Sequence, residues 1–201
     1  SDAELATFSC SYSTAEGMLS RANVGEGDRV LITGASGGVG SALIQLAKRR
    51  GAYVIAMASE VKHDEVGKLD PDVILPRSPK DLAKALKDAT GSDTVSVVAD
   101  IVGGDYFASL IDVLERGGRY TCSGAIAGPI VNLDLRTFYL RDLTFTGSTV
   151  IPPHIFTDLV GYIERGEIKP MLAAEFPLVD LQKAQQAFID KLHTGNIVVS
   201  P

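Results

Sequence analysis

The stretch RVLITGASGGVGSALIQLAKRRG, residues 29–51, changes its hydrophobic period part-way along. Residues 29–33 are apolar and β-branched, the pattern of a buried strand. After the glycines, Val39, Ala42, Leu43, Leu46 and Ala47 recur at helical spacing, and Gly51 ends the run. A strand that feeds a helix through tight glycines makes a cradle for phosphate. The glycines let the backbone approach an anion, and the first N–H groups of the helix bind it. A Walker loop needs Gly-Lys-Ser/Thr, yet the first lysine after the turn is Lys48, so that reading fails. Two readings remain, a dinucleotide site and a glycine-rich turn that holds nothing. The window ASGGVG fills the three slots of the dinucleotide pattern with Ala35, Gly37 and Gly40. The strand before it, the helix after it and the alternation that follows favour the dinucleotide site. Gly34, Ala35, Ser36, Gly37, Gly38, Val39 and Gly40 are therefore its expected phosphate-binding residues.

Outward from this turn, strands are expected at 52–58, 72–76, 94–100, 119–124 and 142–148. Helices are expected near 60–68, at 78–91 with Pro79 in the first turn, and at 105–118. Several strands are apolar throughout, as in a parallel sheet covered on both faces. The fold class is α/β, a doubly wound parallel sheet of about six strands. Ahead of the turn, residues 3–23 read as helical, with Ser13 or Thr14 capping STAEGMLSRA and Glu16 in its first turn. From about 150 the rhythm changes to helix, loop, strand, capped helix and a last short strand.

The 201 residues are 45% hydrophobic and 22% charged, a globular composition. A net charge of -6 gives no electrostatic grip on nucleic acid or an anionic membrane. No apolar run is long enough for a membrane span, and residues 1–20 lack a signal-peptide pattern. Cys10 and Cys122 lie far apart and make no disulfide framework, so the cytoplasm is the expected location.

The turn also reads Thr33-Gly34-x-x-x-Gly38-x-Gly40, the pattern of short-chain dehydrogenases. Those enzymes use a Tyr with Lys four residues on. Tyr12, Tyr53, Tyr106, Tyr120, Tyr139 and Tyr162 are followed there by Glu, Met, Leu, Gly, Leu and Gly, so that family is excluded. Four ordered blocks resemble another one: GEGDRVLITGASGGVGSALIQLAKRRGAYVIA, VVADIVGG, LERGGRYTCSGAIAG and HTGNIVVSP. Together they resemble the medium-chain dehydrogenase/reductase superfamily, in its zinc-type alcohol dehydrogenase and quinone-oxidoreductase-like branch. The resemblance implies a Rossmann cofactor domain, residues 1–168, and a tail, 169–201, that returns to a catalytic domain whose N-terminal portion is missing.

CSYSTAEG, residues 10–17, is similar to the CGFSTGYG segment of zinc alcohol dehydrogenases. On that likeness Cys10 is a ligand of catalytic zinc in the intact protein, and Thr14 lies near the nicotinamide. The other reading of Cys10 is a small buried thiol. His63, His154 and His193 are scattered, so this chain alone builds no zinc site. By the same resemblance Ile101, Val102 and Gly103 pass along the nicotinamide. Ser123, Gly124 and Ala125 follow the fifth strand, where ligands of doubly wound sheets collect. Asp100 reads as a cap for the next helix, Cys122 as strand filler, and Arg116 and Arg119 as surface residues.

NAD-preferring sites put Asp or Glu at the end of the second strand. Here that end carries Ala58 and Ser59, with Lys62 and His63 close by, which leans to NADP. Glu60 is the counterweight, and it keeps NAD open. The implied function is hydride transfer between NADP(H) and an alcohol or carbonyl, zinc-assisted in the intact protein. A zinc-free quinone or enone reductase and a non-catalytic dinucleotide-binding module are the alternatives. The expected partners are a small-molecule substrate and a second copy of the chain, paired through residues near 139–150. Phe176, Leu178, Phe188 and Ile197 are expected to be exposed or rearranged if the tail's partner domain is absent.

Overall fold

A computed structural model describes residues 1–201. Six parallel strands form one sheet: β1 (Arg29–Ile32), β2 (Tyr53–Ala58), β3 (Val73–Pro76), β4 (Val95–Asp100), β5 (Leu114–Cys122) and β6 (Thr144–Gly147). Their order is β3-β2-β1-β4-β5-β6. Val30 pairs with Val54 on one side and Val97 on the other, so β1 is central. The order reverses between β1 and β4, which opens a crevice at their carboxyl ends. Val30, Leu31 and Ile32 are wholly buried, because helices cover both faces. One face packs against α1 (Asp2–Arg21), α2 (Gly38–Arg49) and α7 (Pro153–Glu164). The other packs against α4 (Leu82–Thr90) and α5 (Phe107–Asp112). Two short helices, α3 (His63–Gly67) and α6 (Leu135–Leu140), complete this body. No helix is long and apolar enough to cross a membrane.

Three local expectations change. α1 covers the segment expected to be helical, but its cap is Ser1, not Ser13 or Thr14, because Ser1 and Glu4 form a reciprocal capping box. Ser13 sits mid-helix and donates its hydroxyl to the Ser9 carbonyl, so it causes no break. Glu16 is buried inside the helix and ion-paired with Arg50. In α4 the cap is Asp81, whose carboxylate accepts the Lys84 N–H at 2.9 Å, and Pro79 lies outside. The segment LERGG joins β5 instead of ending a helix. Its ladder is irregular, and Gly117, at φ +74°, donates its N–H to the Arg141 carbonyl at 2.7 Å. Arg119 is therefore turned inward. It donates to the Ala22 and Asn23 carbonyls and pairs with Asp28.

The tail makes its own sheet. β7 (Leu172–Pro177) and β8 (Asn196–Ser200) pair in parallel around α8 (Leu181–Asp190). It is pinned to the glycine turn, where Gly195 N–H donates to Ser36 O at 2.9 Å.

Candidate dinucleotide site

Gly34 makes the sharp turn after β1, with φ +59°. That explains why alanine suffices in the next slot. Ala35 is fully buried, and its N–H donates to the Met57 carbonyl at 3.2 Å. Gly37 N–H closes the turn onto Gly34 O at 3.0 Å. At Gly40 a Cβ would lie 2.2 Å from Gly34 O, so only glycine lets α2 start this close to the turn. The helical ladder starts with Ser41 N–H on Gly37 O at 2.8 Å. The amides of Gly38, Val39 and Gly40 precede it. The cap, Gly37, makes no side-chain bond, and no acidic residue occupies the first turn. A backbone cradle that a Cβ would fill, at the positive end of a twelve-residue helix, fits a pyrophosphate.

Two more predicted segments reach the same place. A Cβ on Gly34 would meet the Ile101 side chain at 3.0 Å and Val102 at 3.2 Å. Ser123–Ala125 packs on 101–103 in turn: a Cβ on Gly124 would sit 2.9 Å from Ile101 O, and one on Gly103 would sit 3.3 Å from Ala125. Ser123 donates its hydroxyl to Ser148 O at 2.7 Å.

The buried carboxylate of Asp100 ties these pieces together. It accepts the Thr33 hydroxyl at 2.5 Å, the Tyr120 hydroxyl at 2.7 Å, and the amides of Val102 and Gly103 at 2.9 and 3.2 Å. It caps the 101–103 loop and, through Thr33, also braces the glycine turn. Burial, reinforced by Asp100, pushes the Tyr120 phenol far above its ordinary range, so it stays a donor. Sequence reasoning missed Thr33 and Tyr120. For Thr33 the available signal was a polar side chain following the apolar run Val30–Ile32, whereas Tyr120 lies in the mixed strand β5, which carried no such signal.

At the end of β2, Ser59 is half-buried and its side chain caps nothing. Lys62 follows one turn later. Its ammonium donates to the His193 carbonyl of the tail at 2.6 Å. Burial, and then Lys191 nearby, lowers the Lys62 pKa. Glu60 is exposed.

Cys10 is exposed on α1, and no group of three or more His, Cys, Asp or Glu residues could hold a metal. The residues of this chain do not by themselves fit a zinc site. Thr14 is half-buried on the same helix. α1 crosses the glycine turn at Ser11, whose hydroxyl donates to Asn196 Oδ1 at 2.8 Å over Gly38. Thr14 lies three residues on, along that face.

The family profile described as zinc-binding dehydrogenase matches residues 38–165. This chain belongs to the zinc-binding dehydrogenase family, within the medium-chain dehydrogenase/reductase superfamily. Among the family's relatives, the acryloyl-coenzyme A reductase of Metallosphaera sedula is 32% identical over 185 residues, covering 90% of this chain and 53% of that protein. A Sinorhizobium meliloti structure named as a candidate alcohol dehydrogenase superposes with a TM-score of 0.95 at 47% identity, covering 98% of this chain and 55% of that one. The 2-octenoyl-CoA carboxylase reductase CinF, solved with NADP and 2-octenoyl-CoA, gives a TM-score of 0.89 at 25% identity, covering 97% of this chain and 49% of that one. This zinc-binding dehydrogenase chain thus spans about half the length of the relatives it matches. The matched stretch runs from the start of α2 to the end of α7, across every strand of the large sheet except β1.

Proposed function

We propose that this chain is the cofactor-binding part of an NADPH-dependent oxidoreductase that reduces an activated carbonyl compound, with an α,β-unsaturated acyl thioester as the leading substrate class. The observation that carries the reading is the meeting of residues 34–40, 101–103 and 123–125 at the carboxyl ends of β1, β4 and β5. When bound, NADPH supplies the hydride. The chain's own residues bind and orient. The amides at Gly38–Gly40 hold the pyrophosphate, and Ser59 and Lys62 receive the 2′-phosphate. Ile101 and Val102 give an apolar wall that excludes water from the nicotinamide end, while Thr14 approaches from α1. The acryloyl-coenzyme A reductase and the 2-octenoyl-CoA carboxylase reductase among the similar proteins support the thioester class.

A second reading, zinc-assisted interconversion of an alcohol and a carbonyl, draws on exposed Cys10 and on the family description. It needs further zinc ligands from outside this chain. The test is turnover by the purified protein of NADPH with crotonyl-CoA, beside NADP with alcohols, and a metal analysis. Thioester reduction without stoichiometric zinc supports the first reading. Alcohol oxidation that a chelator abolishes would replace it with the second. A homodimer is also proposed, formed across the outer edge of β6.

A further inference from the structure

The lead-in to β8 brings cations to the end of β2. Lys191 ends α8 in the left-handed region, φ +55°, so the chain reverses there toward His193. The Lys191 ammonium lies 3.3 Å from the centre of the Phe188 ring. The His193 ring stands 5.9 Å from that ring, and its buried Nδ1 has no hydrogen-bond partner. The His193 carbonyl takes the Lys62 ammonium at 2.6 Å. Lys191 is close enough to disfavour the charge of Lys62, and the two lysines together disfavour that of His193. Neither lysine has a carboxylate partner, and the nearby Glu65 is occupied by Lys68. Cations that converge without a counter-charge repel one another, and an anion between them relieves the repulsion.

We propose that Lys191, from the tail, is the second cation of the 2′-phosphate site begun by Ser59 and Lys62, so that selection of NADPH over NADH depends on the end of the chain. This rests on the NADPH reading above. A phosphate monoester carries about -1.5 to -2 near neutral pH, which two ammoniums match in a way that one does not. The His193 carbonyl parks Lys62 until the phosphate takes it. The Phe188 ring holds Lys191 beside it. The tail is already fixed to the glycine turn through Gly195 and Ser36, so both ends of the cofactor site share one anchor.

The test is calorimetric titration of the 201-residue chain with adenosine 2′,5′-bisphosphate and with 5′-AMP. These probes differ only in the 2′-phosphate and use only the adenosine half of the site. The unaltered chain is expected to bind the bisphosphate about tenfold tighter or more. Lys191→Gly suits the left-handed position. It is expected to bring the ratio most of the way to one, with 5′-AMP affinity unchanged, and Lys191→Arg to restore it. Equal binding of both probes by the unaltered chain overturns the 2′-phosphate reading and this proposal together. Discrimination by the unaltered chain that survives Lys191→Gly overturns the tail's role alone, and leaves Ser59 and Lys62 in place.

Discussion

At Gly40 a methyl group would sit 2.2 Å from one backbone atom and 2.7 Å from another, and neither can swing aside. Gly40→Ala is therefore expected to push α2 off the turn. NADPH affinity should fall at least tenfold, about 1.4 kcal/mol, in a fluorescence titration, with the far-ultraviolet spectrum retained. Gly25→Ala, outside the turn, is the control, because a Cβ there would meet nothing within 4 Å. Equal losses from both variants would show that close approach at Gly40 is not what the turn requires. Elsewhere, Glu16 is 3% exposed and takes the Arg50 guanidinium through both oxygens, at 2.6 and 2.8 Å. Arg50→Met leaves that carboxylate buried alone, and should cost about 3 kcal/mol in urea unfolding. Adding Glu16→Leu should recover much of the loss, since the uncompensated charge is then gone. Glu16 was legible as a helix residue. Its partner, thirty-four positions away, was not.

Helices and strands found their places by local pattern, and their ends were set by specific groups. The cap of α1 moved to Ser1 because a complete capping box there outcompetes a lone hydroxyl at Ser13. LERGG joined β5 because the sheet offered pairing partners that a helical propensity could not anticipate. The connection from α7 to β7 is held by Glu167, which binds Arg49 of α2 and Arg165, both at 2.5 Å. These guanidiniums hold the Glu167 carboxyl at about 2, below its usual 4.5. A lowered folded pKa adds stability that is present above the unfolded value and lost as pH falls through the folded one. The contribution should thus be whole above pH 4.5 and fade toward pH 2. Glu167→Gln should lower the urea midpoint at pH 6, and the gap from the parent should close on titration to pH 2.5. A gap that stays constant across that window would refute the ion-pair account.

For the whole molecule, two apolar faces stand uncovered. β6 is an edge strand, with Tyr139, Leu140 and Val150 exposed beside it at 60%, 57% and 73%. An unpaired edge flanked by apolar side chains favours association. Light scattering at tens of micromolar should give a dimer, and Leu140→Glu should shift it to monomer. A monomeric parent would exclude pairing through this edge. A second apolar face lies on the tail, a groove of about 510 Å³ lined by Leu181, Ala184, Phe188, Ile189, Ile197 and Val199. The expected exposure of Phe188 and Leu178 is met, at 55% and 56%, whereas Phe176 and Ile197 are half-buried in the β7–β8 sheet.

The sequence by itself determined the doubly wound sheet and the glycine cradle, because both rest on short-range signals. These are hydrophobic period, and glycines where backbone must turn or come close. It also placed Ile101–Gly103 and Ser123–Ala125 at strand ends. Only the tertiary structure brought those segments onto Gly34, joined Thr33 and Tyr120 through Asp100, and turned Arg119 inward. It alone carried Lys191 and His193 across the chain to Lys62, 131 positions from His193. Such contacts depend on how distant strands and helices stack, and burial and hydrogen-bond satisfaction between them leave no periodic mark in the chain.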